Sequence, residues 1–346
     1  MESKPLPAHH KITGRFWQTR VFENLWDTWK EPTASEIIKW MRSREPHMTR
    51  GFLLGNTAAT PADFAAAFPP HAVDWAAVAD PPAEARASPV QFAGPKRVTP
   101  PAFTAASLRL PALDFVVVSH NHYDHLDRAS VLALHGRYGP GLRWYVPLGL
   151  KPWFTGHGIH NVVELDWWEE HRHSSGDGQR SLTVVLTPAQ HATLRGGFGP
   201  NAGKRQTLWG GFAVIGERLR FWFAGDTGYC SVFEEIGKRL GPFDLAAIPT
   251  GAYLPRWFMG PQHVDPAQAV QIHRDVRSRR SVAVHLGTFP LTDEAMDEPV
   301  GLLVREAREA GLAADEFVTL RHGGSIVTAG GVDLQPAVTL QPTRSV

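Results

Sequence analysis

An α/β fold of sheet layers covered by helices is what this chain's pattern predicts, and three observations carry that prediction. From about residue 114 onward, short apolar runs rich in β-branched residues alternate with segments of helical period. Hydrophobic residues make up 43% of the 346, enough to build a substantial core. Side chains able to hold a metal follow the ends of several apolar runs, where layered α/β folds collect their chemistry.

The first apolar run, Phe115-Val116-Val117-Val118, reads as a buried strand. Ser119-His120-Asn121-His122-Tyr123-Asp124-His125-Leu126-Asp127 follows it, with four potential ligands inside six residues. Imidazole and carboxylate keep their lone pairs at neutral pH and suit a borderline dication such as zinc. In an extended turn His120 and His122 point the same way, whereas Asp124 and His125 can face a second ion where the chain bends. Further strands are predicted over Leu182 to Leu186, Leu219 to Ala224, Leu245 to Ile248 and Ser281 to Val284. Three of them lead to His191, to Asp226 and to His285, so seven ligands are available, three or four per ion. Asp265-Pro266 predicts a capped helix start, with Ala269, Ile272 and Val276 as its apolar face.

The remaining features bound the function. A formal net charge of +1 gives no global field toward nucleic acid. A single cysteine, Cys230, excludes an intrachain disulfide and reads as a small buried residue. No apolar run reaches the roughly 18 residues of a spanning helix, and Met1 to Gly14 lacks an apolar signal core. An intracellular protein, cytoplasmic or attached peripherally to a membrane, is therefore expected. Residues 1–60 read as an arm carrying Trp17, Phe22, Trp26 and Trp29, and residues 61–346 as the main domain. The arm either packs on the body or offers tryptophans to a lipid interface. Residues 56–90 are rich in alanine and proline and are read as irregular. Leu165 to Glu170 reads as a packed acidic-aromatic turn. His171 and His173 are placed on an exposed Gly/Ser-rich segment, without a ligand role.

The block His120-Asn121-His122-Tyr123-Asp124-His125 resembles the HxHxDH signature of the metallo-β-lactamase superfamily. Longer stretches are similar to the N-acylphosphatidylethanolamine-hydrolysing phospholipase D family within it. These are Ser119 to Asp127, Glu164 to Glu170, Phe223 to Tyr229, Glu234 to Pro249, Gly251 to Met259 and Gln262 to Pro266. The resemblance implies an αββα sandwich with two Zn2+ ions. His120, His122 and His191 would hold one, Asp124, His125 and His285 the other, and Asp226 would bridge. It also implies catalytic roles for Asp124 and Asp226, the first helping to orient the attacking water. Tyr123, Gln262 and His263 would lie near the substrate phosphate. Attack at phosphorus would release phosphatidic acid and an N-acylethanolamine from a phospholipid at a membrane surface. No nucleic-acid partner is implied, and a homodimer is left open. The family's first strand pair, ending before an Asp-Pro turn, has no counterpart here: Thr60 to Val78 stands in its place, and Asp80 keeps a role orienting a ligand imidazole only if its backbone is still held. Ala192 replaces a family tryptophan, and Gly196 to Arg205 departs from the usual loop. Two other readings stay open, a hydrolase of another phosphodiester or a lactone, and an inactive metal-binding scaffold. A substrate panel and melting with and without zinc separate them.

Overall fold

In the computed structural model, residues 7–13, 19–43, 85–101, 113–175, 178, 180–195, 205–322, 324 and 326 are described. The altered stretch 56–80, Asp80 and Trp17 lie outside them, as does most of the loop from Gly196 to Arg205. Three parallel strands, β3 (Phe115–Val117), β4 (Arg143–Pro147) and β5 (Val162–Leu165), form one sheet. The second sheet has seven strands among the described residues. They are β6 (Glu170–Ser174), β7 (Ser181–Thr187), β8 (Gly211–Ile215), β9 (Arg220–Phe223), β10 (Leu245–Pro249), β11 (Ser281–Val284) and β12 (Phe317–Val318). They lie side by side in chain order. The first three pairings, β6 to β9, are antiparallel and the last three, β9 to β12, parallel.

This order follows from the connections. Parallel neighbours need a crossover, and the helices Val232–Arg239, Pro266–Asp275 and Glu298–Glu309 supply one after β9, β10 and β11. Side-chain alternation then separates the layers. Tyr145 joins a cluster with Val184, Leu186 and Phe212 between the two sheets. Its neighbours Trp144 and Val146 turn the other way, toward Leu126, Val131 and Phe154. On the far side of the larger sheet, Trp222, Phe233, Phe243, Ile272 and Val276 form the core under its helices. Helices, sheet, sheet and helices make an αββα sandwich, as expected.

Local expectations are met in detail. Asp265 accepts from the Gln268 backbone N–H at 2.9 Å and caps the helix that Pro266 starts. Asp127 caps Arg128–Tyr138 in the same way, accepting from Ser130 N–H at 2.7 Å. Cys230 is buried, and burial pushes its thiol up to about 12. Trp167 lies in the inter-sheet core, in keeping with a packed turn from Leu165 to Glu170. In the part of 56–90 that is described, Arg86 makes an isolated bridge to Lys96 and no strand forms.

One placement is corrected. His171 and His173 do not sit on an exposed segment: they belong to β6, paired with Val184 and Leu182 of β7. His173 is buried, and the Tyr145 hydroxyl lies 3.0 Å from Nδ1 of each ring. The Gly/Ser-rich turn begins only after Ser174, so the histidines belong to the strand before it. The arm contains a hairpin, β1 (His10–Thr13) with β2 (Thr19–Phe22), and the helix Ala34–Ser43. Phe22 is buried in the inter-sheet core and Trp26 packs against it, which is the packing alternative for this arm.

Candidate metal centre

The proposed ligands converge because the strands deliver them to one edge of the sandwich. β7 and β9 are separated by two antiparallel steps and so run the same way, as do β9, β10 and β11. Thr187, Phe223 and Val284 therefore end at one side, and His191, Asp226 and His285 lie just beyond. His120 follows β3 from the facing sheet. The sheets meet closely here. Gly225 has φ +65°, and a Cβ on it would come within 2.7 Å of the Ser119 Cβ. Only glycine fits that position without displacing a neighbour.

Two groups of side chains form. In the first, His120 Nε2 lies 2.9 Å from His122 Nδ1, and His191 Nε2 lies 3.3 Å from the same atom. In the second, His125 Nε2 is 3.1 Å and His285 Nε2 3.4 Å from Asp124 Oδ2. Asp226 Oδ2 stands between the groups. It is 3.0 Å from His125 Nε2 and 3.2 Å from His285 Nε2, and 3.9 Å from both His120 Nε2 and His191 Nε2. All seven predicted ligands are thus in one cluster, with Asp226 in the predicted intermediate position.

The donor set fits divalent ions. Ligand bonds of about 2.0–2.1 Å in a tetrahedron give edges of about 3.3 Å, close to the separations found. Burial and the neighbouring imidazoles hold His120 well below its usual range, so the ring keeps its lone pair. Burial also lowers His122 and holds His191 well below its usual range. The His191 Nδ1–H donates to the Gln262 carbonyl at 3.1 Å, which turns Nε2 inward. Among the described residues, the buried Nε2 of His125 has no hydrogen-bond partner, despite its two carboxylate neighbours.

Without an ion, protons take up the charge in the second group. Burial works against a charged His125, yet Asp226 and Asp124 raise it to about 9. His285 is raised well above its usual range by the same two carboxylates, again against burial. Burial would lift Asp226, but His125 and His285 hold it well below the carboxylate range. In the metal-free chain His125 thus contributes stability that is full below about 6.5 and is lost as pH rises through about 9. A ligand must shed this proton to bind an ion. Affinity for zinc should therefore rise about tenfold per pH unit for each proton displaced, up to about pH 9. Competition titrations across that range would read it, and an affinity indifferent to pH would refute this charge arrangement.

Three further residues were expected near a substrate. Tyr123 is half-buried, with the Arg195 guanidinium 4.1 Å over its ring. Gln262 reaches the centre through its backbone carbonyl. His263 is buried, stacks on His285 with ring centroids 5.4 Å apart, and brings Nδ1 to 4.0 Å from Asp226 Oδ2. Burial pushes His263 down to about 3, Asp226 opposing and His285 reinforcing, so its ring is neutral at pH 7.

Sequence reasoning missed the residues that hold this wall. The Asn24 side chain grips His191 at two points, Nδ2–H donating to the His191 carbonyl at 2.7 Å and Oδ1 accepting from its N–H at 3.2 Å. Thr28 donates to Gln190 Oε1 at 2.5 Å, and Gln190 Nε2–H donates to the Pro261 carbonyl at 2.9 Å. Arg195 Nη1 donates to the carbonyls of Asn121 and Leu126 at 2.9 and 2.8 Å, tying the ligand loop down. Only Arg195, four residues after a ligand, carried a local hint. Asn24→Ala should weaken metal retention about 10–100-fold while the chain stays folded. Competition with a chelator measures this, and unchanged retention would show that the arm does not position His191.

Comparison with known proteins bears on the fold and the family. The β-lactamase superfamily domain matches residues 78–286. The fold, the ligand-bearing edge and this match define a metal-dependent hydrolase with a metallo-β-lactamase fold. N-acyl-phosphatidylethanolamine-hydrolyzing phospholipase D 1 of Caenorhabditis elegans is 46% identical over 255 residues, which are 71% of this chain and 69% of that protein. The chain belongs to the N-acylphosphatidylethanolamine-hydrolysing phospholipase D family of the metallo-β-lactamase superfamily. The mitochondrial enzyme of that name from Saccharomyces cerevisiae is 37% identical over 60% of this chain, which spans only 42% of the yeast protein. A metallo hydrolase from Ignicoccus hospitalis KIN4/I has a similar solved structure, with TM-score 0.46 and 22% identity over 62% of this chain and 78% of that one.

Proposed function

We propose that this chain is a dizinc phosphodiesterase that hydrolyses N-acylphosphatidylethanolamine to phosphatidic acid and an N-acylethanolamine at a membrane surface. The observation that carries the dinuclear reading is the position of Asp226 Oδ2, which approaches both histidine groups at 3.0–3.9 Å. The likeness to the nematode phospholipase supports the substrate. When bound, two divalent cations would lower the pKa of water toward neutrality and offset charge on an in-line phosphoryl transition state. His120, His122 and His191 would hold one, and Asp124, His125 and His285 the other, with Asp226 shared. Asp124 would help to orient a nucleophile between the groups. Tyr123 and neutral His263 would offer donors to the phosphate oxygens.

The surface near the centre suits a lipid. On the helix Ala34–Ser43, Ile37, Ile38 and Met41 are exposed, and Trp257 is 43% exposed below the Lys39 ammonium, 4.7 Å from its ring. Trp40 stacks on Phe258, which fixes this helix beside the segment leading to Gln262 and His263. Lys39 and Arg42 would each add roughly 1 kcal/mol of attraction near an anionic leaflet. Among the described residues no helix is long and apolar enough to cross a membrane. The deciding experiment follows N-acylethanolamine release from vesicles of defined lipid and counts metal per chain. Turnover should require two equivalents of zinc and fall as salt screens anionic vesicles. Turnover of a soluble phosphodiester or lactone, with none of the N-acyl lipid, would replace this reading.

A further inference from the structure

The hairpin that leads to Asn24 begins with two histidines that the centre does not use. His9 lies in the turn before β1 and His10 opens that strand, so these neighbours are free to converge instead of facing opposite sides. Both reach Asp166, in the loop after Leu165. His9 Nε2 is 2.6 Å from Oδ1, and His10 Nε2 is 2.8 Å from Oδ2. The side chains of His9 and His10 are only 7% and 4% exposed. Trp167 stacks on His9 with ring centroids 4.3 Å apart, and Phe22 meets His10 edge-on at 5.1 Å. The two imidazoles, with Trp167 and Phe22 against them, enclose the Asp166 carboxylate, whose side chain is 12% exposed.

The two contacts to Asp166 differ in kind. His9 has hydrogen-bond geometry. His10 Nε2 makes an ion-pair contact with Oδ2 at 2.8 Å, and its buried Nδ1 has no hydrogen-bond partner among the described residues. Each of the three side chains offers one ligand atom, and these atoms lie within 4.8 Å of one another, a span that one ion can bridge after a small adjustment. Asp166 Oδ1 also accepts from the Trp167 N–H at 2.8 Å, which fixes the carboxylate. Two imidazoles and a carboxylate inside an apolar shell suit zinc or a similar borderline dication.

We propose that His9, His10 and Asp166 form a separate structural site for a divalent cation, which fastens the amino-terminal hairpin to the hydrolase body. The site does not depend on the substrate proposed above. Its consequence reaches the centre through the chain. Phe22, paired with His10, stands two residues before Asn24, whose amide holds His191. An ion in the outer site would hold the arm in the place from which it clamps that ligand.

Metal counting on the full chain tests this. Wild type, His10→Gln, Asp166→Asn and Asp226→Asn would be loaded with zinc, dialysed into metal-free buffer and analysed for metal per chain. His10→Gln retains a side chain that can hydrogen-bond Asp166, so it preserves the clasp should Asp166→Asn fail to fold. The expected result is one equivalent fewer in His10→Gln than in wild type, with a zinc-dependent rise in Tm that persists in Asp226→Asn and shrinks in His10→Gln. Equal metal content and equal zinc response in wild type and His10→Gln would overturn the site and leave a hydrogen-bonded clasp. The comparison does not rely on turnover. A failed centre would show as loss of the Asp226-dependent metal, while the difference between wild type and His10→Gln would still report the outer site.

Discussion

Asp226→Asn is expected to lose turnover almost completely and to lower metal content, while the protein remains folded. Asp226 is 5% exposed and its Oδ2 touches four imidazole nitrogens at 3.0–3.9 Å. A carboxylate there can share its charge between two dications, whereas a neutral amide supplies a weaker oxygen and no charge. Shared ions are asked to supply several kcal/mol of transition-state stabilisation, at 1.36 kcal/mol per factor of ten. A fall of about 10³-fold or more in kcat/KM is therefore expected. The paired measurements are metal per chain and turnover at saturating zinc. Activity within about tenfold of wild type at full zinc would remove Asp226 from the bridging role.

Glu294→Ala is expected to destabilise the fold by about 3–5 kcal/mol, through hydrogen bonds outside the metal centre. The Glu294 carboxylate accepts from the backbone N–H groups of Ala252, Tyr253 and Leu254 at 2.6, 3.3 and 3.0 Å, and from the Thr292 hydroxyl at 2.7 Å. These donors line the loop after β10, where Ala252 holds φ +66° without being glycine. A left-handed residue costs about 1–2 kcal/mol, which the carboxylate's bonds offset. Removing Glu294 leaves buried N–H groups unpaired at about 1–3 kcal/mol each. The loop leads to Arg256, whose Nη1 donates to the His263 carbonyl at 2.7 Å, so the wall of the centre would loosen with it. Urea unfolding would measure the loss, and Glu294→Gln should lose less because one acceptor oxygen remains. A change below about 1 kcal/mol would mean that the loop holds its shape unaided.

Much of the centre was legible because its chemistry is local. His120, His122, Asp124 and His125 are contiguous, and the β-branched run before them announces the strand end that presents them. His191, Asp226 and His285 each follow a strand whose length and composition identify it. The Asp265 cap could be read for the same reason, since a cap and its helix are neighbours in the chain. His173 was misplaced because composition blurred a strand into the turn beyond it. Only pairing with β7, and the Tyr145 hydroxyl from the facing sheet, fixes its burial. The altered stretch from Thr60 to Val78 lies outside the described residues, so its expected effect on the sheet edge is not part of the fold described.

The amino-acid sequence by itself determined the layered α/β class, the strand ends and the ligand types gathered there, because period and side-chain chemistry are properties of short segments. It could not determine which distant segment holds each ligand in place. Asn24 meets His191 across 167 positions, His9 meets Asp166 across 157, and Glu294 meets Ala252 across 42. A buried hydrogen bond between such partners needs no periodic pattern, only that the folded backbone leave one donor beside one acceptor with water excluded. The tertiary structure alone decides that geometry, and with it the arm acquires its role as the clamp behind His191.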